Sequence, residues 1–180
     1  MRTSHFSPLD GNFPLSGPAD AEKPKGKAKK KIVRAIVNGR WVTVAGNATY
    51  EQGPQPEGVP ATSRSVTAWS LAVGPDGALY IGGLNRIYKI DRDGLIHTFA
   101  GVAILSGTFV DFVDGAPALS VQLGTPSGIA VGPDGTVYFA NNAILGRVTP
   151  DGRVYHMMTA GSGQFDPHGV SVAGDGTVLL

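Results

Sequence analysis

Histidine and aspartate are the residue types in this chain whose spacing bears on chemistry. The four histidines stand at His5, His97, His156 and His168. They are scattered, and no carboxylates accompany them at ligand spacing, so no metal-binding set is expected. His97 and His156 fall three and four positions after a turn glycine and read as structural members of outer strands. Asp76, Asp93, Asp134, Asp151 and Asp175 are each followed by glycine. They lack the dense Asp alternation of a calcium loop, and the Asp-Gly pair is turn chemistry. No Gly-x-Ser-x-Gly elbow and no phosphate-binding loop of Walker type is present. The Gly161–Gly163 stretch "GSG" lacks the following helix and lysine that a phosphate cradle needs. The absence of cysteine excludes disulfides, thiolate zinc ligands and a cysteine nucleophile. No cofactor is expected.

The elements that would position these residues follow from composition. The 180 residues include 26 Gly and 13 Pro and only 16% charged side chains, which points to many turns joining short apolar strands and away from helix bundles. No apolar run approaches the roughly 18 residues of a helical membrane span. The first 30 residues hold no apolar stretch of the kind a Sec-type leader carries, and localisation stays open. The net charge of +1 hides an asymmetry: residues 1–34 carry eight basic and three acidic groups, and the rest carries seven basic and eleven acidic. The stretch "KPKGKAKKK" from Lys23 to Lys31, in the basic segment that reaches Arg34, spaces its lysines with Gly, Pro and Ala and has no apolar face. Residues 1–34 are therefore expected to be a disordered basic arm, solvated by default. The alternative use of the arm is contact with an acidic partner, nucleic acid included, although no aromatic side chain interleaves the lysines to stack on bases.

The body of the chain repeats itself. "SLAVGPDGALYIGG" from Ser70, "GIAVGPDGTVYFAN" from Gly128 and "GVSVAGDGTVLL" from Gly169 are each an apolar run, an Asp-Gly turn and a second apolar run. A second hairpin follows the first two: "RIYKIDRDGLIHTFAG" from Arg86 and "ILGRVTPDGRVYHMMTAG" from Ile144. Each unit is thus expected to hold four antiparallel strands, near 70–74, 78–83, 86–91 and 95–100, then 128–132, 136–141, 144–149 and 153–160. A unit of about 40 residues with four strands is the period of a β-propeller blade. Tyr80 and Tyr138 recur at one strand position and are expected to pack between blades, with Trp41 also in the core.

Insertions precede the first strand of each unit. They cover residues 47–69 and 102–127 and share a motif, "GVPATS" from Gly58 and "GAPALS" from Gly115. Related insertions at one place in two units lie on one propeller face, where binding usually sits. "VNGRWVTVAG" from Val37 matches the last hairpin of a unit, and Leu180 falls inside the second strand of a third. Two full and two partial blades cannot close a ring of roughly 4–8 blades. The expectation is a C-terminally truncated propeller over residues 35–180, in which Arg40–Gly46 would complete the last blade. Several short chains assembling one ring is the alternative.

The order "TVAGN … GVPATS … LAVGPDGALYIGG … NRIYKIDRDGLIHTFAG" resembles the NHL repeat in its long bacterial and teneurin/Rhs-like form, over about residues 37–180. The family's frequent Asp after "YIA" is replaced here by Gly83 and Asn141. That resemblance implies a β-propeller fold, an architecture that hosts many activities. "LGRVTPDGRVYHM … DPHGVSVAGDG" is similar to the blades of streptogramin B lyases, metal-dependent propeller enzymes, and places His168 in their "PHG" motif. It implies a rival reading as a lyase, or a lactonase-like hydrolase, with His168 as the one catalytic candidate in a channel site. Trp69 and Ser127 hold the same repeat position as His168.

The expected activity is therefore a non-catalytic binding or scaffold module, engaging a protein or small ligand through the insertion face. Tyr50, Arg64 and Trp69 on the first insertion and Phe109, Asp111 and Phe112 on the second are the candidate binding residues. Aromatic and arginine side chains on protruding loops are the usual anchors of interfaces.

Overall fold

A computed structural model describes residues 33–49, 55–103, 112–141, 144–159 and 169–180. The basic arm, apart from its last two residues, lies outside the described residues. The strands run in chain order as β1 (Val33–Val37), β2 (Arg40–Ala45), β3 (Val59–Pro60), β4 (Ser70–Val73), β5 (Leu79–Gly82), β6 (Arg86–Ile90) and β7 (Leu95–Gly101). They continue as β8 (Ala116–Pro117), β9 (Gly128–Val131), β10 (Val137–Ala140), β11 (Ile144–Val148), β12 (Arg153–Thr159), β13 (Ser171–Val172) and β14 (Val178–Leu179). The described residues are all-β apart from two single 3-10 turns, Ala61–Ser63 and Ala118–Ser120.

Two sheets are complete blades, ordered β3-β7-β6-β5-β4 and β8-β12-β11-β10-β9. Both are antiparallel throughout. The four strands read from each repeat are present, and each blade gains a fifth. The addition comes from the "GVPATS" and "GAPALS" segments, whose first residues pair with the outer strand: Val59 opposite Ile96, and Ala116 opposite Val154. Two further hairpins, β1–β2 and β13–β14, stand as two-stranded sheets.

Three of the five Asp-Gly turns account for their aspartates by a backbone bond; in the Asp93-Gly94 turn the accepting carboxylate is that of Asp91. Asp76, Asp134 and Asp175 each accept the backbone N–H two residues on, at 3.1, 3.0 and 2.9 Å, across a glycine with φ between +74° and +86°. This Asx geometry favours the turn and leaves the carboxylate ionised. The pKa of Asp76 is lowered first by its hydrogen bond from Lys89, and those of Asp134 and Asp175 by the backbone N–H groups of Thr136 and Thr177.

Two apolar layers hold the sheets together, and they are one interface used twice. Val33 and Ala45 of the first hairpin pack with Ala61, Val66, Ile81, Tyr88, Ile90 and Ile96 of the first blade. Ile87 and Ala100 of that blade then pack with Ala118, Leu123, Phe139, Val148 and Val154 of the second. The two sets correspond position by position in the repeat, so each blade presents the same two faces. Tyr80 is buried in the second layer, edge-on to Phe99 at 5.2 Å, and Tyr138 is buried too. Trp41, expected in the core, is exposed. It occupies the position of Ile96, which is covered by the preceding hairpin; among the described residues nothing precedes β1 to cover Trp41.

One cross-strand pair is inverted between the blades. Ile81 faces Tyr88 in the first, and Phe139 faces Gly146 in the second. Both large rings are fully buried. The aromatic volume comes from the third strand in one blade and from the second strand in the other, which keeps the layer filled.

Candidate functional site

The insertion face begins as a clasp. The N–H of Gly58 donates to Ile96 O and that of Ala61 to Gly94 O, at 3.0 and 2.9 Å. Gly115 and Ala118 repeat this against Val154 O and Gly152 O, both at 2.8 Å. The first 3-10 turn also accepts from the preceding hairpin, through Gly46 N–H to Ala61 O at 2.9 Å. The first motif therefore ties its blade to the hairpin before it.

A carboxylate stands immediately before each motif. Glu57 accepts from the N–H and the hydroxyl of Thr98, both at 2.6 Å, and from Arg64 Nη1 at 3.2 Å. The Arg64 side chain is fully buried, with Nη2 3.4 Å from Thr98 Oγ1 and its guanidinium carbon 4.8 Å from the centre of the Tyr88 ring. Burial alone would raise the Glu57 pKa, but the hydrogen bonds from Thr98 and the charge of Arg64 outweigh it and hold the carboxyl below its ordinary value. Asp114 takes the same place in the second blade. It accepts from His156 N–H at 2.7 Å, and its Oδ1 lies 2.9 Å from His156 Nδ1. Its pKa is lowered first by that backbone N–H and then by the ring. Phe112 stacks on the His156 ring at 4.0 Å and 15°. Val121 stands where Arg64 would be.

A groove of about 470 Å³ opens along the first clasp, bordered by Gln55, Glu57, Arg86, His97, Thr98 and Leu119. Leu119 comes from the second clasp, so the groove lies across the junction of two blades. Its lining offers a carboxylate, a buried guanidinium, a half-exposed imidazole and an apolar wall. That mixture can orient a ligand carrying both polar and apolar groups.

Of the residues named from sequence, Arg64 lies inside the first clasp and Phe112 covers the second. Trp69 is exposed immediately before β4, its backbone N–H donating to Gly82 O at 2.8 Å. Ser127 makes the equivalent bond to Ala140 O. Tyr50, Phe109, Asp111 and His168 lie outside the described residues. Among the described residues, no three His, Asp or Glu side chains converge as metal ligands. Glu57, Thr98 and Asp114 escaped sequence reasoning. Their signal was an acidic residue directly before each Gly-x-Pro-Ala-x-Ser.

A protein of unknown function from Bacteroides thetaiotaomicron superposes on 83% of this chain and 39% of its own, with a TM-score of 0.58 at 18% identity. The chain has a β-propeller fold. A virginiamycin B lyase from Staphylococcus aureus aligns over 63% of this chain and 33% of its own, at TM-score 0.44 and 20% identity. A catalytically inactive form of that enzyme, solved with quinupristin, aligns over 58% and 31%, at TM-score 0.40 and 23% identity. The chain thus spans between 31% and 39% of the length of these three structures. No family model matches the sequence, and no curated protein does. No helix among the described residues is long and apolar enough to cross a membrane.

Proposed function

We propose that this propeller is a non-catalytic binding or scaffold module of NHL type that engages a protein or small ligand from its insertion face. The observation that carries this reading is the junction groove, whose volume of about 470 Å³ falls within the range of small-molecule sites. Trp69 offers an exposed aromatic anchor on the same chain segment as the first clasp. Tyr50, Phe109 and Asp111 are proposed to extend the surface. The NHL assignment rests on the ordered "TVAG", "GVPATS" and "PDGALYIGG" pieces.

Displayed random peptides selected on the immobilised full chain supply the probe. The expected result is that His97→Ala and Trp69→Ala weaken the selected peptides at least tenfold in calorimetry, while deletion of residues 1–30 leaves affinity unchanged. Peptides whose affinity falls steeply with salt and vanishes with that deletion would instead assign binding to the basic run Lys23–Arg34, the acidic-partner alternative. A second reading, a propeller lyase, rests on the "PHG" motif around His168. Quinupristin incubated with the chain and a divalent metal is expected to remain intact. Cleavage that His168→Ala abolishes would replace the binding reading.

A further inference from the structure

The groove at the junction of the two blades runs along the edge of a strand. Successive side chains of a strand point to opposite faces of the sheet, so a cavity on one face is bordered by alternate residues. His97 and Thr98 are neighbours on β7, and both border this groove. Gly101 at the end of the strand borders it too, followed by Val102 and Ala103. A cavity that meets consecutive residues in this way lies on the edge of β7.

That edge is filled only at one end. β3 pairs with Leu95 and Ile96, the first two of the seven residues of β7. Among the described residues, no strand pairs with residues 97–101 on the side away from β6. The ladder ends on a side chain. Gly58 N–H donates to Ile96 O at 3.0 Å, and two residues further along β7 the Thr98 N–H donates to Oε2 of Glu57 at 2.6 Å. The carboxylate thus takes the place of the next strand carbonyl. The charge that faces water here is acidic. Glu57 is half-exposed, and Asp91, whose Oδ2 lies 3.7 Å from His97 Nε2, is 36% exposed, while Arg64 and Arg86 are buried. Leu119, reaching across from the second clasp, is 59% exposed and forms an apolar wall.

We propose that the groove takes an extended peptide segment of a partner protein, which adds to β7 as a further strand in line with β3 and directs a basic side chain to Glu57 and an apolar one to Leu119. This strand addition rests on the reading of the groove as a binding site. An open strand edge offers donors and acceptors at the spacing of an extended chain, so main-chain hydrogen bonds supply affinity and the flanking side chains supply selectivity. The acidic rim complements a basic residue, and the wall from the second blade complements an apolar one. Only alternate amides of an added strand face β7, whether it runs parallel or antiparallel.

That alternation is the test. The tightest peptide selected from the displayed random library is the probe, synthesised as a series with one backbone amide methylated at a time and titrated calorimetrically against the full chain. Methylation is expected to weaken binding at least tenfold at every second residue of the bound stretch and to leave it unchanged at the residues between. Replacing the basic residue of the probe by norleucine should weaken it as well, and so should Leu119→Glu in the protein, an exposed position where the fold is kept. A probe that loses affinity with Leu119→Glu and His97→Ala but tolerates methylation at every amide overturns the added strand and leaves the groove as a side-chain site. A probe unaffected by both protein variants does not use the groove, and the binding reading falls with the proposal. A library that yields no binder overturns the proposal, as does a parent that sediments as a dimer which the probe does not dissociate, since a second copy then holds the edge.

Discussion

Glu57→Ala lowers the free energy of unfolding by about 3 kcal/mol, a loss expected when a fully buried cation keeps its position but loses its anion. The Arg64 guanidinium has no route to water, its side chain being 0% exposed, and its remaining polar partner is Thr98 at 3.4 Å. Removal of Glu57 also frees the N–H and hydroxyl of Thr98, which it binds at 2.6 Å. Glu57→Gln keeps an acceptor and loses the charge, so it falls between the parent and the alanine variant. The matching change in the second blade, Asp114→Ala, costs less because no buried arginine depends on it. Acid separates the same effects. Glu57 has a folded pKa below its ordinary 4.5, so its contribution is full above that value and is lost as pH falls through the folded pKa. Urea titrations at neutral and acid pH should therefore show a gap between parent and Glu57→Gln that closes on acidification. Equal midpoints at neutral pH would mean the carboxylate does not hold the clasp.

The second large effect lies in the inverted pair. Gly146→Ala places a methyl group directly on the Phe139 ring, which is fully buried between the blades. Overpacking of this kind costs about 1–3 kcal/mol. If the two blades solve one packing problem, transferring the first blade's solution should relieve it. The double variant Phe139→Ile with Gly146→Tyr is expected to unfold at a higher urea midpoint than the variant carrying Gly146→Tyr alone. A double-mutant cycle reads the coupling, expected at 1 kcal/mol or more in favour of the swap. Additive losses would show that the pair is not interchangeable.

The blades were legible because their signals are local. Alternating apolar runs and Asp-Gly turns placed all eight long strands of the two blades within a residue or two of their observed limits. The fifth strands were not legible. Val59–Pro60 and Ala116–Pro117 are two residues long and gain meaning only from a partner more than 30 residues away. The segment around them is rich in Gly, Pro and Ser, a composition that suggests a protruding loop. Its backbone instead pairs with the outer strand of its own blade. Arg64 followed the same course. An arginine on an insertion suggests a surface anchor, yet Glu57 and Tyr88 provide the charge and the ring that let it lie buried. Trp41 erred in the other direction. Its residue type suggests core, but its position needs a preceding blade face to cover it.

Amide hydrogen exchange at residue resolution tests the clasped-blade arrangement most directly. Strand order alone predicts slow exchange in β5, β6, β10 and β11, which any hairpin pair would give. The clasp adds four specific amides, those of Gly58, Ala61, Gly115 and Ala118, each donating to a carbonyl of the outer strand or its turn at 3.0 Å or less. The account predicts that these four exchange as slowly as the outer strands β7 and β12 they are bonded to. Exchange of all four at unprotected rates, with the central strands still slow, would contradict it.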